Sequence, residues 1–148
     1  MNRDCIEGTL PMQDTSFVET ATIPLRLSAI DSDGFPVVCS LWFYYRNGCF
    51  YCASHRSSKI IRLLEANPNC GFEVAVNSIP YRGVRGKAVA ELTSDSQGEV
   101  LSSLIERYLG DSNRDLANWL LSRKADEVAI CLHPKTFSSW DFSARMTD

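Results

Sequence analysis

The chain is poor in histidine. It has two histidines in 148 residues. No pattern suggests a nucleophile with its base, paired catalytic carboxylates or a metal-activated water. A basic block is missing as well. With a formal net charge of -3 and no aromatic RNA-reading motif, a nucleic-acid partner is not expected, because duplex binding rests largely on clustered cations. Long apolar runs are lacking: the N-terminal stretch carries Asp4, Glu7 and Asp14 and reads as neither signal peptide nor membrane anchor, leaving the cytoplasm as the default expectation. There is no internal repeat and no low-complexity linker. A content of 45% hydrophobic and 22% charged residues fits one globular domain over residues 1–148, with residues 1–22 as an N-terminal arm.

Cysteine is not scarce, but metal-ligand spacing is. Cys49-x-x-Cys52 has no second C-x-x-C pair, and three residues along a strand set the two sulfurs on opposite faces. Cys39, Cys49, Cys52 and Cys131 fall in predicted strands and Cys70 begins another, so they read as small buried hydrophobes. Cys131 and His133 share a face, but such a lone pair at a strand end reads as packing. No metal site is expected. His55 reads as a solvent-facing loop histidine.

What the chain does have is concentrated between Arg26 and Lys59. Ile23, Leu25, Leu27 and Ala29 alternate with Pro24, Arg26 and Ser28, the period of a strand with one apolar face. Asp31-Ser32-Asp33-Gly34 is turn chemistry. Val37, Cys39, Leu41 and Phe43 then face one way and Val38, Ser40, Trp42 and Tyr44 the other. Both faces are apolar, which asks for cover on both sides. The outward row Val38, Trp42 and Tyr44 predicts a homodimer. Asn47-Gly48 marks a hairpin, with Cys49 to Ala53 as its returning strand. Ser54 to Lys59 leads into the helical run IIRLLEAN, stopped by Pro68, with Ser57 or Ser58 as N-cap. Hydroxyls, free amides and the Arg56 and Lys59 cations converge there on the positive end of a helix. That describes a phosphate seat, or else an ordinary capped surface helix.

The remainder completes a β structure. Phe72 to Val76 predicts a fourth strand and Val84 to Leu92 a fifth. In the fifth, Gly86, Ala88 and Ala90 admit either tight packing or the close approach of a flat ring. Arg85 and Lys87 lie on the face opposite Val84, where structural salt bridges also account for them. Val100 to Leu109 and Leu116 to Leu120 repeat at helical spacing, a core stripe covering a barrel mouth. Ala125 to Leu132 and Thr136 to Phe142 make two last strands, split by His133-Pro134.

Taken together, R-L-S-A-I-D from Arg26, D-G-F-P, N-G-C-F-Y, S-S-K-I-I-R-L-L-E-A-N-P, P-Y-R-G-V-R-G-K-A from Pro80, E-R-Y-L-G from Glu106 and S-W-D-F-S-A-R-M from Ser139 are informative by order and spacing. Over about residues 23 to 146 the chain resembles the pyridoxamine 5'-phosphate oxidase-like FMN-binding split-barrel family. The resemblance implies an all-β dominated fold with peripheral helices, a six- to seven-stranded antiparallel split barrel of Greek-key type. It also implies a homodimer with flavin at the subunit interface. On it, Arg26, Ser57, Ser58 and Lys59 hold the phosphate, and backbone at Leu27, Ser28, Cys52 and Ala53 edges the ring. Tyr81, Arg82 and Trp140 stand near the ring or across the dimer, although Trp140 also reads as an ordinary core or interface tryptophan. Arg107 and Tyr108 read as architecture.

Two departures narrow the function. Ala53 stands where many relatives have threonine, and the C-terminal SARMTD lacks the histidine with which the authentic oxidase holds pyridoxal phosphate. The expectation is an FMN-binding oxidoreductase passing hydride or electrons between reduced nicotinamide and a small substrate. The alternatives are a deazaflavin-dependent reductase and a non-catalytic flavin-binding or storage protein.

Overall fold

Two-residue alternation does become strands here, and they close on themselves. The computed structural model describes residues 2–6 and 10–146. In chain order the elements are β1 (Asn2–Ile6), α1 (Met12–Thr20), β2 (Leu25–Ile30), β3 (Pro36–Leu41), β4 (Tyr44–Arg46), β5 (Cys49–His55), α2 (Lys59–Ala66), β6 (Asn69–Ala75), β7 (Arg82–Ser94), α3 (Glu99–Tyr108), α4 (Arg114–Ser122), β8 (Glu127–Asp141) and α5 (Ser143–Met146). The order across the sheet is β3-β2-β6-β7-β8-β5-β4, with β1 added to β8, and each pairing is antiparallel. This is the expected split barrel. None of its described helices is long and apolar enough to cross a membrane.

Leu25, Leu27, Ala29, Phe50, Cys52, Phe72, Val74, Val84, Ile130 and Leu132 all point inward and are buried. Phe50 lies at the centre, its ring 4.8 Å from Phe72 and from Tyr45 and 5.8 Å from Phe43. Burying each such side chain contributes about 1.5 to 3 kcal/mol. Cys52 and Cys70 are small members of the same core.

The predicted break at His133-Pro134 does not occur. β8 runs through it, with Lys87 opposite Thr136 and Ala88 opposite Pro134, so Lys135 is the extra residue of a bulge. Proline has no N–H to give the ladder, and a bulge is where a strand tolerates that loss. The choice left open for the small residues of β7 resolves as packing. A Cβ at Gly86 would fall on the Thr136 carbonyl oxygen, and one at Gly83 would overlap the Trp140 ring.

The helices plug the ends. α2 lays Ile60, Ile61, Leu63 and Leu64 against the barrel. Arg107 near the end of α3 donates to the carbonyls of Val18 (3.0 Å), Glu19 (2.6 Å) and Ala21 (2.5 Å), so it caps the C-terminal end of α1 as a cation should. Tyr108 accepts from the Phe43 amide and donates to the Ile23 carbonyl. Both residues are architectural, as expected.

The outward row of β3 is a different matter. Val38 is 64% exposed, but Trp42 stacks on Tyr108 at 5.1 Å and Tyr44 stacks on Tyr51 at 5.0 Å. The strand ends at Leu41, so the alternation does not carry Trp42 onto the same surface. Trp42 and Tyr44 are half-buried, each with one ring face taken up within the chain.

Candidate functional site

The barrel is split along one seam. Among the described residues β3 pairs only with β2, and β4 covers β5 no further than Tyr51. The free edge of β3 therefore looks across at the free edge of β5 from Cys52 to His55. Strand edges carry backbone donors and acceptors that a ladder has not used. A cleft of about 370 Å³ opens between them, walled by Ser40, Leu41 and Trp42 on one side and Ala53, Ser54 and His55 on the other. Leu101 and Leu104 of α3 with Leu116 and Leu120 of α4 form an apolar roof, and Arg123 and Glu127 stand at a polar end. The helical stripe read as a cover for the barrel mouth is this roof. Arg123 and Glu127 leave no local signal in the sequence, and Trp42, expected on the dimer row, lines the cleft instead.

Glu127 is buried and lies opposite His55 across the β5–β8 ladder. Burial raises its carboxyl above the ordinary glutamate value, while His55 pulls the other way.

The cleft runs into the turn between β5 and α2 through Ser54 and His55. Ser54 Oγ donates to Ser58 Oγ at 2.8 Å. His55 Nδ1 accepts from the Ser57 amide at 3.2 Å and lies 2.8 Å from Ser57 Oγ, while Nε2 lies 3.8 Å from an Asp126 oxygen. Ser58 is the N-cap of α2, yet its hydroxyl makes no capping bond. The first amides of α2 thus keep their donor capacity at the positive end of the helix dipole. Lys59 opens the helix with its Nζ 2.9 Å from Asp31 Oδ2. That Lys59 contact, followed by the Ser32 amide, holds the Asp31 carboxyl below the usual aspartate range. Asp31, a turn residue by its sequence context, is the counter-ion of Lys59.

The other predicted residues are distributed more widely. Arg26 and Ser28 are half-buried on the outer face of β2, and Arg26 lies opposite Ser40 and Glu73. Arg26 is five residues from Asp31, so its backbone stands about 17 Å or less along the chain from the Lys59–Asp31 contact. Leu27 and Ser28 are in register with β3 on one flank and β6 on the other, which commits their backbone to the ladder. Cys52 and Ala53 lie on the open edge.

Tyr81 and Arg82 lie at the far end of the 13-residue β7 from Ser94, which neighbours the strand ends beside the cleft. Arg82 donates to the Gln13 carbonyl at 2.8 Å and sits over the Phe17 ring, holding α1. Trp140 is 8% exposed and carries the Arg85 guanidinium 4.3 Å above its ring. Within one chain the structure thus brings Asp31, Ala53, Ser54, His55, Ser57, Ser58 and Lys59 together, sets Arg26 back along β2, and leaves Tyr81, Arg82 and Trp140 apart from them.

No protein-family model and no curated protein matches the sequence. Solved structures do match it. An F420 reductase is 25% identical, with a TM-score of 0.74 over 86% of this chain and 98% of its own. A conserved hypothetical protein from Mycobacterium tuberculosis is 20% identical over 95% of this chain and 91% of its own, with a TM-score of 0.78. An FAD-binding protein from Mesorhizobium loti is 17% identical over 94% and 96%, with a TM-score of 0.62. The chain has the split-barrel fold of the pyridoxamine 5'-phosphate oxidase-like proteins. Its particular resemblance to the F420 reductase extends over nearly the whole of that protein.

Proposed function

We propose that the chain binds FMN in the barrel seam and works as a flavin-dependent oxidoreductase between a reduced nicotinamide and a small substrate. The observation that carries this reading is the continuity of an open-edged, leucine-roofed cleft with a lysine-bearing helix N-terminus. A flat heterocycle with a phosphate tail asks for those two environments side by side. Lys59, the Ser57 hydroxyl and the first amides of α2 would hold the phosphate, and the free edge at Cys52 and Ala53 would meet the ring's polar rim. Leu101, Leu104, Leu116, Leu120 and Trp42 would exclude water from the seam. The bound flavin supplies the redox chemistry, and the chain supplies binding, orientation and electrostatics.

A homodimer is part of the proposal. Phe35 is 71% exposed, and it adjoins exposed Ile30 and Val38 on the β2–β3 hairpin, an apolar surface a second copy would cover. Arg26, Tyr81 and Arg82, set back from Lys59 within one chain, would reach the ring end of the cofactor or act on it from that second copy.

The F420 reductase neighbour favours a second reading, in which a deazaflavin replaces FMN. An absorbance spectrum of the purified protein, with mass analysis of the released cofactor, separates the two. A colourless protein that binds neither FMN nor deazaflavin on titration would end both readings.

A further inference from the structure

The outer face of the barrel holds a second constellation, unrelated to the seam. Alternation along β8 puts Cys131 and His133 on one face. Cys131 lies opposite Tyr51 of β5 and Glu91 of β7. The hairpin that starts β5 then adds Cys49, whose Sγ is 3.4 Å from His133 Nδ1. The ligand atoms of Cys49, Cys131 and His133 all lie within 4.8 Å of one another. Cys131 and His133 looked like a lone pair in the sequence because the third member is more than eighty residues away, joined only by strand pairing.

We infer that Cys49, Cys131 and His133 form a zinc site with three protein ligands and a solvent-facing fourth position. In a tetrahedral zinc site, bonds of about 2.3 Å to sulfur and 2.0 Å to nitrogen put neighbouring ligand atoms roughly 3.5 to 3.8 Å apart. The Cys49 to His133 separation already has that length, and small rotations of Cys131 complete the triangle. Two thiolates and an imidazole are a borderline-soft set that selects zinc over magnesium or calcium.

The surroundings fit the same assignment. With Nδ1 turned to the metal, His133 presents Nε2 to Glu91 Oε1 at 3.8 Å, the carboxylate partner that commonly orients a metal-bound histidine. Tyr51 stands directly opposite Cys131 in the β5–β8 ladder, so its side chain flanks the Cys131 ligand on the same face. His133 is about half exposed, so the metal has an entry path and room for a water molecule or an exogenous ligand.

The test uses the full chain, reduced, stripped of metal with a chelator and titrated with Co²⁺ and then Zn²⁺. One Co²⁺ per chain should bind with thiolate-to-cobalt charge transfer and the strong visible bands of a tetrahedral site, and Zn²⁺ should displace it. Cys49→Ser and His133→Ala, both at partly exposed positions, should each lower zinc affinity more than about tenfold, and Glu91→Gln by about tenfold. Their circular dichroism should stay that of the wild type. Cys39→Ser should bind zinc normally. Absence of thiolate charge transfer, full zinc affinity in Cys49→Ser, loss of binding in Cys39→Ser, or isolation of a metal-free protein with a Cys49–Cys131 disulfide would each overturn the site. None of these readouts depends on a flavin.

Discussion

Replacing Lys59 by alanine separates the anion seat from the rest of the seam. Lys59 Nζ is held at 2.9 Å by Asp31, so a phosphate entering the turn must exchange one anion for another at the ammonium. A charge-assisted hydrogen bond contributes about 1.5 to 3 kcal/mol, and each 1.4 kcal/mol is a factor of ten in affinity. Because the Lys59 side chain is 56% exposed, solvent screening places the effect near the lower end, about a tenfold weakening of FMN binding. Asp31→Asn should move affinity the opposite way, since it removes the competing carboxylate and its repulsion of the phosphate. Riboflavin lacks the phosphate and should bind wild type, Lys59→Ala and Asp31→Asn almost alike. Flavin fluorescence titrations of both ligands against the three proteins measure all of this. Unchanged FMN affinity in Lys59→Ala, or an equal loss for riboflavin, would refute the turn from Ser57 to Lys59 as the phosphate seat.

Other consequences are equally open to measurement. Gly86→Ala forces a methyl group onto the Thr136 carbonyl at the bulge and should cost about 1 to 3 kcal/mol of stability, read as a lower urea midpoint. Glu127→Gln should raise Tm at neutral pH, because the raised carboxyl pKa means that the native state favours the proton and that ionising Glu127 opposes folding. The sign of that linkage is a wild-type stability that falls as pH rises from the ordinary glutamate range through the raised value. The advantage of Gln should therefore vanish in acid, where the glutamate is neutral in both states. Light scattering at micromolar protein should give twice the chain mass, and Phe35→Ser together with Val38→Ser should shift it toward the monomer. A wild-type monomer would confine any cofactor contacts to the residues that meet within one chain.

Much of the architecture was legible from local pattern. The strand over Leu25–Ile30, the Asn47-Gly48 hairpin and the helix beginning at Lys59 each follow from side-chain period and turn chemistry, which act over a few residues and leave a local trace. The proposed seat was legible for the same reason: Ser57, Ser58 and Lys59 are consecutive and their helix is amphipathic. At Pro134 the local signal misled, because a missing amide ends a strand unless a bulge in the partner ladder accommodates it, and the partner is about fifty residues away.

The tertiary structure alone decided which distant groups share a surface. Closure of the barrel set Asp31 against Lys59, brought the α3 and α4 leucines over the seam and stacked Trp42 on Tyr108. It also added Cys49 to Cys131 and His133 while leaving Arg82 away from the turn. Sequence fixes the face of a strand on which a side chain stands, because the backbone period does so residue by residue. The opposite neighbour depends on strand order and register, and these are set by the packing of the whole core.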